Sequence, residues 1–124
     1  CTIPGLLPDQ EILEFARAQG LSKITVTHDP IEAVKDADAV YADVWASMGE
    51  KDKLAEREKA LQPFQVNDEL MSHTAKDSLF LHCLPAERGR EVTDSIMDGP
   101  HSVIFDEAEN RLHIQKAIIR WLFS

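Results

Sequence analysis

The stretch "SLFLHCLPAERG", residues 78–89, decides how this chain folds. Leu79, Phe80 and Leu81 form an apolar run of the kind that makes a buried strand. The run closes on His82, Cys83, Leu84 and Pro85 and then turns charged. An imidazole, a thiol and a proline are unusual at the end of a core strand. The thiol can simply fill space, as most buried cysteines do. It can instead act as a nucleophile if a base lies nearby. Adjacent His82 is a poor base for it, because neighbours on a strand point to opposite faces. Pro85 sharpens the question. X-Pro is the usual place for a cis peptide, which would turn the backbone sharply and aim carbonyl oxygens into a cleft.

Helix and strand signals alternate outward from this strand. "LPDQEILEFARAQG", residues 7–20, reads as a helix, with Pro8 in the first turn, Asp9 and Glu11 at the positive dipole end and Gly20 as the stop. Ile12, Phe15 and Ala16 share one face of it. Strands are expected near 23–28, 38–44, 78–83 and 102–105, parallel to one another. Between the first two, Asp29 suits an N-cap, Pro30 the first helical position and Glu32 the capping-box partner. Helices are expected over 51–62, from Asn67, after Thr93, and over 107–123. Alternation of this kind predicts an α/β fold, a parallel sheet flanked by helices in a Rossmann-like three-layer domain. Ligands of such sheets bind beyond the carboxyl ends of the strands.

Bulk properties narrow the function. The chain has 124 residues, enough for one domain over residues 1–124 with one core. A hydrophobic fraction of 44% and a charged fraction of 28% belong to a globular protein. The net charge is −9, with no Lys/Arg cluster, so nucleic acid is not an expected partner. No apolar run approaches the roughly 18 residues of a membrane span, and the start has no signal-peptide pattern. Without an initiator Met, the N-terminus is expected to result from cleavage or excision. Cys1 and Cys83 sit in no CxxC pattern and read as reduced thiols. The five histidines are scattered without HxxxH spacing, so no metal is expected.

Two further stretches fall at strand ends or helix starts. "DVWASMG", residues 43–49, leaves a strand on Asp43 and enters a loop of small residues. Asp43 there can hold an ammonium group, while Ser47 and the amides of Ser47 and Met48 can receive a carboxylate. Together they would suit a zwitterionic amino acid. Alternatively, Asp43 caps the loop and Ser47 begins the next helix. "DEAENRLH", residues 106–113, places Arg111 near the start of an apolar helix, where an anion is well held. The competing reading is a surface ion pair with Glu107 or Glu109.

Taken together, "DVWASMG", "LFLHCLPA" and "FDEAENRLH", in this order and spacing, closely resemble the ornithine carbamoyltransferases. "VTHDPIEAVKDADAVYADVW", residues 26–45, is similar to the segment leading into that family's SMG loop. The likeness runs from about residue 8 to the end. It implies the C-terminal, ornithine-binding part of an enzyme that moves the carbamoyl group of carbamoyl phosphate onto the side-chain amine of L-ornithine, giving citrulline and phosphate in arginine biosynthesis. It implies catalytic roles for Cys83 and Asp43 and ornithine binding by Asp43, Ser47 and Met48. Cys83, Leu84 and Arg111 would bind carbamoyl phosphate, with a cis bond between Leu84 and Pro85. No cofactor is implied. A carbamoyltransferase for a related amine, or a non-catalytic binding or assembly module, are the alternatives.

The resemblance also implies what lies outside these residues. The family has an earlier domain carrying the phosphate-binding motif, and this domain's own first strand is not in the sequence. The expected partners are that N-terminal carbamoyl-phosphate domain and further subunits of a trimer-based homo-oligomer. The expected compartment is the cytoplasm, or the mitochondrial matrix in a eukaryote. The closing helix packs on the first domain in the family. Its apolar residues Ile114, Ala117, Ile118 and Trp121 form one face, and Leu112, Ile119, Leu122 and Phe123 extend beyond it. By itself the chain is therefore expected to self-associate or fray over 112–123, and to be inactive.

Overall fold

Strands β1 (Ala39–Ala42) and β2 (Leu79–His82) pair in parallel, with Val40 opposite Phe80 and Ala42 opposite His82. The computed structural model describes residues 1–46 and 54–124, with the backbone alone over 54–56. Parallel pairing needs a long crossover. Here the chain leaves β1 and returns through α3 (Leu54–Leu61) and α4 (Asp68–Met71). α1 (Gln10–Ala18) and α2 (Pro30–Val34) precede β1, and α5 (Asp94–Met97) and α6 (Ile104–Leu122) follow β2. The fold class is the expected one, a parallel sheet flanked by helices.

Local chemistry explains the helix starts. The Asp9 carboxylate accepts the N–H groups of Glu11 and Ile12, so Asp9 is the cap of α1 and Pro8 precedes it instead of entering the first turn. Asp29 caps α2 through Ile31 and Glu32 N–H, with Pro30 at the first helical position. The expected capping box does not close. Glu32 accepts the Thr27 hydroxyl instead, and that same hydroxyl oxygen accepts the Asp29 N–H. Asn67 caps α4 through Leu70 N–H. The Thr93 hydroxyl pairs with Ser95 and leaves α5 without a side-chain cap.

Two expected strands are reduced. Residues 23–28 join no ladder among the described residues. Thr27 offers one carbonyl to Thr2 N–H at 3.2 Å. Ile24 and Val26 alternate as a strand should, yet an alternating pattern becomes a strand only where a partner edge lies alongside. Over 102–105 a single bridge, Ser102 to Phe80, is made by Phe80 N–H to His101 C=O (2.8 Å) and Val103 N–H to Phe80 C=O (3.0 Å). The helix then begins at Ile104, earlier than expected, with Asp106 and Glu107 favouring the positive end of its dipole.

The core lies around β2. Phe80 and Val92 are fully buried and Ile104 is 1% exposed, packed with Val34, Val40, Val66, Leu70 and Met97. Ile104 anchors the start of α6 in this cluster. Farther along, the helix leaves it, and Leu112, Ile114, Ile118, Ile119, Trp121 and Leu122 are all exposed. The apolar face of α1 is likewise open, with Ile12 and Phe15 exposed. Among the described residues no helix is long and apolar enough to cross a membrane.

Candidate active site at the strand carboxyl ends

The register of the two strands builds the site. Because Ala42 faces His82, the next residues, Asp43 and Cys83, leave the sheet side by side. The Cys83 thiol donates to Asp43 Oδ1 at 3.1 Å. The same oxygen accepts the Val44 N–H at 2.8 Å, so Asp43 both caps its own loop and meets the thiol. Partial burial, then the hydrogen bond and charge of Asp43, push the Cys83 thiol above its ordinary range. A thiol held protonated beside a carboxylate is a donor and a positioning contact, not an activated nucleophile.

The turn after Cys83 takes the geometry that the resemblance implied. The Leu84–Pro85 bond is cis, and Leu84 has φ +53°, a left-handed conformation that costs a residue with a Cβ about 1–2 kcal/mol. A hydrogen bond from Leu84 N–H to His82 Nδ1 (2.9 Å) holds it there. His82 is 1% exposed beneath the turn, with Nε2 3.3 Å from Glu91 Oε1. Glu91, also 1% exposed, accepts the Glu87 N–H through the same oxygen.

Glu107 ties α6 to both strand ends. Its two carboxylate oxygens accept the Tyr41 hydroxyl (2.7 Å) and the His82 backbone N–H (3.1 Å). The Tyr41–Glu107 hydrogen bond is the first cause holding the Tyr41 hydroxyl up at about 12, ahead of burial and the charges of Glu107, Cys83 and Asp43. Arg111 follows Glu107 by four residues and so lies on the same face, one turn farther along. It is the eighth residue of α6, not a member of its first turn, so the expected help from the helix N-terminus does not reach it. The competing reading, a surface ion pair with Glu107 or Glu109, is not formed either among the described residues, and Glu109 instead faces His113 at 3.4 Å. Arg111 is exposed beside the Glu107 joint.

Ser47 and Met48 lie outside the described residues. A groove of about 460 Å³ opens along β1, with Tyr41, Asp43, Trp45 and Glu91 on its walls, a size suited to a small molecule. Cys83 is not on those walls, so Asp43 meets the groove on one side and the thiol on another. Among the described residues no three His, Cys, Asp or Glu side chains gather as metal ligands. Sequence reasoning passed over Tyr41, Glu91 and Glu107 as site residues, and it set His82 aside. A polar residue inside an apolar run was the available signal for His82.

Strand ends that carry a carboxylate, a thiol and a fixed turn define a class, an α/β domain that receives small molecules beyond its parallel strands. The model of the aspartate/ornithine carbamoyltransferase Asp/Orn-binding domain matches residues 1–122, and the chain belongs to that family. It is 55% identical over 126 residues to the ornithine carbamoyltransferase of Carboxydothermus hydrogenoformans, covering 99% of this chain and 40% of that protein. The chain thus spans about two fifths of the length of the curated relatives it matches. The anabolic ornithine carbamoyltransferase of Campylobacter jejuni superposes with a TM-score of 0.91 at 40% identity, over 98% of this chain and 41% of that one. A variant of N-acetyl-L-ornithine transcarbamylase superposes at 0.81 with 35% identity, over 96% of this chain and 37% of its own.

Proposed function

We propose that this domain is the ornithine-binding part of an ornithine carbamoyltransferase. The observation that carries the reading is the Cys83–Asp43 hydrogen bond, which joins the two motif-bearing strand ends at one edge. The neutral side-chain amine of L-ornithine attacks the carbonyl carbon of carbamoyl phosphate. A C–N bond forms, the C–O bond to phosphate breaks, phosphate leaves with the electron pair, and the amine gives up a proton. Citrulline and phosphate result, as arginine biosynthesis requires. Asp43 and Cys83 hold the amine in its attacking pose, with Asp43, Ser47 and Met48 binding ornithine. Cys83, Leu84 and Arg111 bind carbamoyl phosphate. The gain comes from orienting two reactants and from stabilising developing negative charge. No covalent adduct on Cys83 is needed, in keeping with a thiol held protonated.

The rest of the carbamoyl-phosphate site comes from an N-terminal domain, and the closing helix, taken as about residues 107–123, packs against it. The whole enzyme is a trimer-based homo-oligomer of the cytoplasm or the mitochondrial matrix. In the full-length enzyme Cys83→Ala should lower kcat substantially with the fold intact, and unchanged activity would make the thiol a packing group only. A second reading, transfer to an acylated ornithine, draws on the likeness to the N-acetyl-L-ornithine enzyme. Steady-state rates with L-ornithine and N-acetyl-L-ornithine separate the two readings, since the preferred amine gives the higher kcat/KM.

A further inference from the structure

Two buried polar side chains lie under the turn, and they need a reason to be there. His82 and Glu91 are each 1% exposed, and burial of such groups is costly unless it does something specific. Their arrangement is directional. His82 Nδ1 accepts the Leu84 N–H, so Nδ1 carries no proton. The ring proton then sits on Nε2, which faces Glu91 Oε1 at 3.3 Å. That separation is longer than a well-made hydrogen bond, and neither Nε2 nor Glu91 Oε2 has another partner. The link is therefore loose, and it rests on an acceptor oxygen of Glu91 facing Nε2, which favours a proton on the nitrogen nearest to it. Glu91 is itself held from the far side of the turn by the Glu87 N–H.

We infer that His82 and Glu91 are positioning residues for the reaction: Glu91 fixes the imidazole tautomer, and the imidazole then holds Leu84 and Cys83 in place. This rests on the proposed transferase reading, because Cys83 and Leu84 are its contacts to carbamoyl phosphate. Were the imidazole to carry its proton on Nδ1, it could not accept from Leu84. The left-handed turn at Leu84 would lose its clamp, and the adjacent thiol would drift from Asp43. His82 is fixed at its backbone too, through Glu107, so rotation of the ring and not of the chain is what Glu91 prevents.

Asparagine places an acceptor oxygen close to where Nδ1 lies, whereas leucine does not. In the full-length enzyme His82→Leu should lower kcat by about tenfold or more, the effect of one lost well-placed hydrogen bond near the reacting atoms, and His82→Asn should stay within about threefold. KM for the amine should move little in either, since Asp43 lies on the other strand. Glu91→Gln keeps an acceptor oxygen and should resemble the unmodified enzyme, while Glu91→Leu should resemble His82→Leu. If His82→Leu does not fold, the Glu91 pair carries the same comparison. Alkylation of Cys83 by iodoacetamide, followed by peptide mass spectrometry, reads the turn without any turnover. It should speed up in the two leucine variants and stay at the original rate in His82→Asn and Glu91→Gln. Equal behaviour of the Asn and Leu variants in both assays would overturn the inference. An enzyme inactive towards both amines, with the alkylation pattern intact, would sink the transferase reading and leave the clamp standing.

Discussion

Removing the Glu107 carboxylate should move the titration of the tyrosine that it holds. The chain has a single tyrosine, so its ionisation can be followed without ambiguity. Tyr41 is held up from 10.0 to about 12, and Glu107 contributes the first cause, a hydrogen bond of 2.7 Å, and the third, its charge. Glu107→Ala removes both and leaves burial, Cys83 and Asp43, so the midpoint should fall most of the way back towards 10.0. Glu107→Gln keeps an acceptor but not the charge, and should fall part of the way. The sign for stability follows. A tyrosine whose proton is held more tightly in the folded state stabilises the fold fully below its unfolded value of 10.0, and that contribution disappears as pH rises through about 12. The original chain should therefore lose stability across that window, and Glu107→Ala should show a flatter profile there. Ultraviolet absorbance of tyrosinate against pH gives the midpoints, with far-UV circular dichroism on the same samples to certify the fold. A folded original protein whose tyrosine titrates near 10.0, or a Glu107→Ala midpoint that does not move, would refute the joint between α6 and the strand ends.

Three other outcomes are expected. Asp43→Asn should lower the Cys83 thiol towards its ordinary range and speed its alkylation at a given pH, with exposed Cys1 as the internal reference. Phe80→Ala, at a fully buried position, should cost about 3–5 kcal/mol in denaturant unfolding, a large share of the roughly 5–15 kcal/mol of a small domain. Gly99→Ala would bring a Cβ within 2.5 Å of the Ser95 carbonyl oxygen, a backbone atom that cannot step aside, and should lower the melting temperature through a strain of about 1–3 kcal/mol.

What the sequence revealed of the fold depends on how local each signal is. Caps are local: Asp9, Asp29 and Asn67 each accept N–H groups two or three residues ahead, and the starts at Asp29 and Asn67 were readable to within about a residue, whereas α1 was expected to take Pro8 into its first turn and begins at Gln10. Pairing is not local. "KITVTH" has the alternation of a strand as fully as "DAVYADVW" does, but only the second finds a partner along its length. "SVIFD" carries strand residues too, yet Ile104 reaches the core by opening a helix, and the acidic pair behind it suits that choice better than a ladder would. Side-chain type could not arbitrate, because Ile and Phe serve a buried strand and a buried helix start equally.

The site divides along the same line. Asp43 and Cys83 could be found because each follows a readable strand, and the rule for parallel sheets sends ligands to that edge. Their contact needed one more fact, the register that sets Ala42 against His82. His82 was discounted as a base because it points away from Cys83, and that geometry is correct. The same alternation, however, turns its ring inward beneath the turn, where Nδ1 can reach back to the Leu84 N–H. Glu91 and Glu107 reach His82 from 9 and 25 residues away along the chain. Glu91 reads as an ordinary surface acid because nothing near it signals burial, and only the return of the chain under the turn makes it a buried one. An exposed strand end thus announces the groups that the proposed function sets against substrate, whereas the side chains packed beneath them are set by tertiary return. That asymmetry explains why the thiol and the carboxylate were legible while the imidazole's partners were not.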